Sequence, residues 1–169
     1  MKGFEDAFQL LDGFRFADQE SRKNALLFAY WVGVARCSST LERKVFRPPL
    51  VCVDGEPWSG KSTLVRRVLE SYDMAPAVCW SFDENMLAGV ADKFSPCLWV
   101  DDCRALNKRE SELVSRWVSA HLWQYRLRGT QDIVQRNLAT VTVISGDGIK
   151  LCPDLARRAI FIRLERRDA

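Results

Sequence analysis

Histidine is nearly absent from this 169-residue chain, where His121 stands alone. A single imidazole can give a zinc site little help, and none of the six cysteines is spaced as CxxC, so metal ligation through sulfur is not expected. Cys52, Cys79 and Cys97 lie within apolar runs, where a free thiol behaves as a small hydrophobe in a reducing compartment. Long hydrophobic runs are missing too. The longest, Ala25 to Ala35, spans eleven residues, short of the roughly 18 needed to cross a bilayer, and reads as a buried helix. The opening MKGFEDAFQLLDG is acidic and lacks the basic start and apolar stretch of an export signal. A cytoplasmic location and no membrane partner are expected. Repeats and low-complexity tracts are absent, and the length suits one compact unit with a substantial core.

Charge is unevenly spread. The net value is +3, but from Tyr125 onward nine Lys and Arg face five Asp and Glu. A polyanion surface gives that skew, and so do solvated arginines.

The pattern of apolar runs and breaks divides the chain into an N-terminal helical preamble, residues 1–47, and a core, residues 48–169. In the preamble, residues 4–12 and about 20–36 read as helices, the second with Asp18 or Ser21 as N-cap. Arg47-Pro48-Pro49 ends it. In the core, five mostly apolar runs read as strands covered on both faces: Leu50 to Asp54, Ala77 to Phe82, Cys97 to Asp101, Thr140 to Ser145 and Ala159 to Leu164. Helices are expected over Lys61 to Ser71, Glu84 to Lys93 and about Lys108 to Trp123. The last of these places Leu113, Val114, Trp117, Val118, His121 and Leu122 on one face, so His121 reads as a packed histidine rather than a catalytic base. Trp31, Trp80, Trp99, Trp117 and Trp123 read as core. The alternation predicts a parallel, three-layer α/β fold.

One segment carries strong chemistry. Gly55-Glu56-Pro57-Trp58-Ser59-Gly60-Lys61-Ser62 fits G-x-x-x-x-G-K-[ST] at every fixed position, follows an apolar strand and opens an amphipathic helix. Glycines let the backbone curl around an anion, the helix start supplies partial positive charge, and Lys61 adds a full one at the β- and γ-phosphates of ATP. The whole stretch through Thr63 is the expected phosphate cradle, with Ser62 reaching Mg2+. Trp58, too bulky to face the phosphates, is expected to point outward.

A second segment, Cys97-Leu-Trp-Val-Asp101-Asp102, is an apolar strand that ends in two carboxylates. Asp101 is placed to hold magnesium together with Ser62, and Asp102 to polarise the attacking water.

The strand between these two segments in sequence, and the tail Thr140-Val-Thr-Val-Ile-Ser-Gly-Asp147-Gly followed by Asp154-Leu-Ala-Arg157-Arg158 and an apolar strand, carry a likeness. Together they resemble the AAA+ and superfamily 3 helicase-like ATPases, above all the helicase domains of phage and plasmid primase-helicase proteins. The resemblance implies a P-loop NTPase fold with a five-stranded, mainly parallel sheet. It also implies a hexameric homo-oligomeric ring that hydrolyses Mg-ATP while acting on single-stranded DNA in the host cytosol. By position, Asp147 stands at the family's sensor asparagine, and Arg158, with Arg157, at its arginine finger. An ionised Asp147 cannot donate to a phosphate, which passes that role to Ser145. In the same family the interval before the sensor strand carries a basic hairpin, so Arg126, Arg128 and Arg136 are candidates for nucleic-acid phosphates; a solvated hairpin or an intersubunit contact fits them equally.

Two other classes fit the phosphate loop. A P-loop kinase transfers phosphate to a small acceptor, and an ATP-dependent switch or assembly protein binds nucleotide without unwinding anything.

Overall fold

The computed structural model of the chain describes residues 8–37, 47–93, 95–126 and 129–166. Within these the elements run α1 (Gln19–Cys37), β1 (Leu50–Gly55), α2 (Lys61–Glu70), β2 (Ala77–Cys79), α3 (Glu84–Asp92), β3 (Cys97–Val100), α4 (Lys108–Ser119), β4 (Leu122–Arg126), β5 (Ile133–Asn137), β6 (Val141–Gly146), α5 (Pro153–Ala156) and β7 (Ala159–Leu164). Residues 4–7 of the first expected helix, 4–12, fall outside the described residues; residues 8–10 are helical and 11–13 form a turn.

Five strands form one parallel sheet in the order β2-β3-β6-β1-β7. Alternation along each strand sorts side chains to opposite faces. Val51, Val53, Cys97, Trp99, Val141 and Val143 meet α1 and α2 through Phe28, Val32, Leu64 and Val68. Leu50, Cys52, Leu98, Val100 and Ile144 meet α3 and α4 through Leu87, Val90, Val114 and Trp117. Helices therefore cover both faces, and the three-layer α/β arrangement read from the sequence is present.

Local chemistry sets the helix starts. Asp18 accepts the Ser21 amide at 2.6 Å, Asp83 accepts the Met86 amide at 2.8 Å, and Asn107 with Glu110 forms a reciprocal capping box. The first of these bonds holds the Asp18 carboxyl below its usual range. No helix among the described residues is long and apolar enough to cross a membrane.

Three expectations are corrected. α4 stops at Ser119 rather than Trp123, because Ala120 turns extended (φ −79°, ψ 143°) and the chain continues as β4, antiparallel to β5. His121 therefore leaves the helix and lies exposed, its Nδ1 3.3 Å from an Arg47 guanidinium nitrogen. Trp80, expected in the core, is 80% exposed, since β2 is a short edge strand that ends at Cys79.

Candidate functional site

All five parallel strands point the same way, so β1, β3 and β6 end on one rim of the sheet. β1 delivers Gly55 to that rim, the chain curls through Glu56–Gly60, and α2 begins at Lys61. Gly60 turns the loop into the helix at φ 92°, a left-handed conformation that glycine adopts without penalty, and a β-carbon there would stand 3.3 Å from the Phe14 ring. Trp58 also has positive φ (70°) and is 87% exposed, pointing outward as its bulk requires. Lys61 folds back over the loop: its Nζ donates to the carbonyls of Gly55 at 2.7 Å and Glu56 at 2.6 Å. The first turn of α2 leaves amides without helical partners facing the same space.

Asp101 follows the last residue of β3 and gathers several donors. Ser145 Oγ donates to its Oδ1 at 2.6 Å, the Asp102 amide at 3.1 Å, and Ser62 Oγ approaches both carboxylate oxygens at 3.3 and 3.4 Å. The Ser145 hydroxyl in turn accepts the Trp99 indole N–H at 2.7 Å, inside the core. Asp102 is exposed and held at φ 54°, which turns the chain sharply away from the strand. Behind it the Cys103 amide donates to Ser145 O at 2.9 Å, and this contact is so close that a β-carbon on Gly146 would lie 2.1 Å from Cys103 O. Asp54, at the end of β1, accepts the amides of Gly148 at 2.8 Å and Ile149 at 3.3 Å, tying the loop after β6 to the strand that feeds the phosphate-loop motif.

The oxygen donors suit a hard divalent cation. Ser62 and Asp101 bring a hydroxyl and a carboxylate to one point, and Mg2+ takes few protein ligands and fills its octahedron with phosphate oxygens and water. Among the described residues no group of three or more His, Cys, Asp or Glu could hold a metal by itself.

The rim thus unites Gly55 through Thr63, Asp101, Asp102 and Ser145. Asp147 is half-buried just beyond β6 on the same rim. Arg157 and Arg158 are elsewhere. The Arg158 carbonyl accepts the amide of Leu50, the first residue of β1, so it sits a full strand length from Gly55, roughly 16 Å at the usual rise per residue. Both guanidiniums are held by Asp154, at 3.0 Å and 3.6 Å. The Ser115 hydroxyl bond and these two arginines keep the Asp154 carboxyl below its ordinary range.

Of the candidate nucleic-acid arginines, Arg136 is engaged within the protein. The hairpin β4–β5 is present, but Asp92 at the end of α3 pins it, accepting Arg136 at 3.1 Å and the Tyr125 hydroxyl at 2.9 Å. Arg126 is exposed, and Arg128 lies outside the described residues.

Sequence reasoning missed Asp54 as the anchor of the β6 loop and Phe14 as the ring behind Gly60. Neither stands in a recognisable motif. Ser145 was noticed only as a stand-in for Asp147; the apolar run around it hides that its hydroxyl joins Trp99 to Asp101.

No family model matches the chain, and no curated protein matches it. Among solved structures, a chain from "Structure of E. coli MS115-1 HORMA:CdnC:Trip13 complex" is 14% identical with a TM-score of 0.48, covering 95% of this chain. The present chain spans 63% of the length of that one. The kinship expected from the sequence is corrected accordingly: no family model or curated protein places the chain among the primase-helicases or other superfamily 3 helicases, and the solved structure named above is described as a HORMA, CdnC and Trip13 complex. The reading of a hexameric DNA motor in replication is withdrawn with it; of the hairpin arginines offered for DNA, Arg136 is paired with Asp92. At this identity and TM-score the likeness assigns the chain neither a family nor an activity.

Proposed function

We propose that the chain is a nucleotide-dependent switch domain that binds Mg-ATP through the loop at Gly55–Thr63 and hydrolyses it slowly, without unwinding nucleic acid. The observation that carries this reading is the meeting of Lys61, Ser62 and Asp101 on one rim: an ammonium held over the loop mouth, and a hydroxyl within 3.3 Å of a carboxylate. The sheet order supports it, because β6 separates the loop strand from the acidic strand and lays Ser145 between their ends.

Each residue has a defined task. The loop backbone and the start of α2 bind phosphate oxygens, Lys61 offsets their charge, and Ser62 with Asp101 would hold Mg2+, which neutralises charge building on the phosphates. Ser145 and the Asp102 amide fix the Asp101 carboxylate, so its oxygens need not reorganise. Asp102, exposed beside it, is the group able to orient a water. A switch needs its nucleotide state read elsewhere, and the Asp54 bonds to Gly148 and Ile149 give a direct path from the loop strand to the segment leading into α5.

Lys61→Ala should lower ATP affinity at least 100-fold, the loss expected when a desolvated charge pair with phosphate is broken. Equilibrium binding of a fluorescent ATP analogue measures it. Affinity within a factor of three of the parent would sink the assignment.

A further inference from the structure

Two segments leave the rim side by side. After β3 the chain runs through Asp102 to Asn107 and enters α4, and after β6 it runs through Asp147 to Cys152 and enters α5. They are stitched together where the Lys150 amide donates to the Arg104 carbonyl at 2.9 Å and Ala105 pairs with Lys150 in a parallel bridge. The stitch gathers charge of one sign: Arg104, Lys150 and, at the first two positions of α4, Lys108 and Arg109, all exposed. Among the described residues none of these four side chains makes a hydrogen bond or an ion pair, whereas Arg116, Arg136, Arg157 and Arg158 are each held by a carboxylate. Asp102 and Asp147, at the roots of the two segments, leave the four unpaired, and Glu110 spends its carboxylate on the Asn107 amide at 3.0 Å.

This placement works against the fold. A helix start carries partial positive charge, so cations at Lys108 and Arg109 are disfavoured there, and four like charges on one patch repel each other. An arriving anion relieves both. Beside the patch an open groove of about 810 Å³ runs along α4, with Lys108 on its wall, Leu106 and Cys152 as apolar lining, and Glu112 and Asp154 adding negative charge. A nucleic-acid strand following that groove would set its phosphates against the two carboxylates. A polypeptide changes its side chain at every residue, so it can offer acids to the patch and apolar groups to the groove.

We propose that Arg104, Lys108, Arg109 and Lys150 form a docking surface for an acidic segment of a partner protein, whose carboxylates meet the four cations and whose apolar side chains enter the groove beside Leu106. The surface is separate from the phosphate loop and does not depend on nucleotide binding. Its cations differ in effect from structural ones: they weaken the unbound protein and strengthen the complex.

The test uses fluorescence anisotropy with three labelled probes: a short peptide of Glu and Leu spaced by Ser and Gly, the same peptide with Gln for every Glu, and oligothymidylate. The proteins are the parent, a patch variant (Arg104→Gln, Lys108→Gln, Arg109→Gln, Lys150→Gln) and a charge-matched control altered at exposed cations elsewhere (Arg22→Gln, Lys23→Gln, Arg36→Gln, Lys93→Gln). Exposed ion pairs contribute modestly one by one, so four together predict that the parent binds the Glu peptide about tenfold or more tighter than the Gln peptide, a preference that high salt erodes. The patch variant should lose that preference and the control should keep it. Thermal unfolding of the patch variant should come no lower than the parent's, since cations at a helix start do not support the fold. Equal binding of the two peptides by the parent, or equal loss in both variants, overturns the proposal. Tighter binding of oligothymidylate that disappears in the patch variant replaces the protein partner with a nucleic acid, and a patch variant that unfolds lower makes the four cations structural.

Discussion

Removing the Ser145 hydroxyl should expose how far the rim depends on the core beneath it. Ser145 is fully buried, accepts from Trp99 Nε1 at 2.7 Å and donates to Asp101 at 2.6 Å. In Ser145→Ala the indole N–H, on a residue 2% exposed, has lost its acceptor. Orphaning a buried donor costs about 1–3 kcal/mol, and a hydrogen bond to a charged group contributes about 1.5–3 kcal/mol. These do not add fully, because half-buried Asp101 can turn toward water and keeps the Asp102 amide, so the variant should lose about 2–4 kcal/mol of folding stability. For a chain of this size that lowers Tm by roughly 5–15 °C. Trp99→Phe deletes the donor, so adding it to Ser145→Ala should cost at least about 1 kcal/mol less than adding it to the parent. The Arg66 guanidinium, 5.6 Å from the Trp99 ring centroid, is disturbed in both backgrounds and cancels in the cycle. Urea unfolding of the four proteins, followed by far-UV circular dichroism to avoid the missing tryptophan, supplies the numbers. A Ser145→Ala loss under about 0.5 kcal/mol, or strict additivity of the pair, would refute the reasoning.

Three further outcomes follow from the packing. Gly146→Ala forces the backbone at Cys103 away from β6, because the new carbon would sit 2.1 Å from a carbonyl oxygen; overpacking plus the strained Cys103–Ser145 bond should cost about 2–4 kcal/mol in urea unfolding, and a neutral result would show that the two segments are not in contact. Iodoacetamide at pH 8 should label exposed Cys37 first and reach Cys52 and Cys97, whose thiols burial pushes far up, only in denaturant; mass spectrometry that found Cys97 labelled in native protein would contradict its place in the sheet. Burial also raises the Cys79 thiol from 9.0 to about 11. The folded chain therefore holds that proton more tightly, and the resulting stability is complete below pH 9.0 and lost as pH climbs toward 11. Cys79→Ala should flatten that alkaline decline in thermal unfolding, and an unchanged profile would exclude Cys79 as its source.

The parts of the fold that sequence made legible are those set by local pattern. The strands at Leu50, Cys97, Val141 and Ala159 are mostly apolar runs, the first two opened by Pro49 and Pro96, and each formed within a residue or two of its expected limits. The phosphate-loop motif is readable because its spacing is fixed by backbone geometry. The end of α4 is not, since Leu122 and Trp123 continue the helical spacing of Leu113 and Trp117 although they belong to a strand. Trp80 misled for a related reason: an aromatic beside β2 reads as core until the strand order puts β2 at the sheet edge. The bonds that hold the rim join residues about forty to ninety-five positions apart, such as Ser145 to Asp101 and Ile149 to Asp54, and no local period spells them. The ion pairs at Asp92 and Asp154 likewise turn arginines that looked available into occupied ones.

The sheet order has a consequence for how the chain comes into being. β1 is flanked by β6 and β7, so its ladder partners lie in residues 143–146 and 159–164. During synthesis Leu50–Gly55 emerges long before either neighbour exists, and an apolar strand stays open on both edges while some ninety residues are added. Pairing over such separations is slow and leaves the strand exposed to other chains in the meantime. The segment that carries the phosphate-loop motif is therefore among the last to be secured, and its geometry is completed only once β7 has closed beside it.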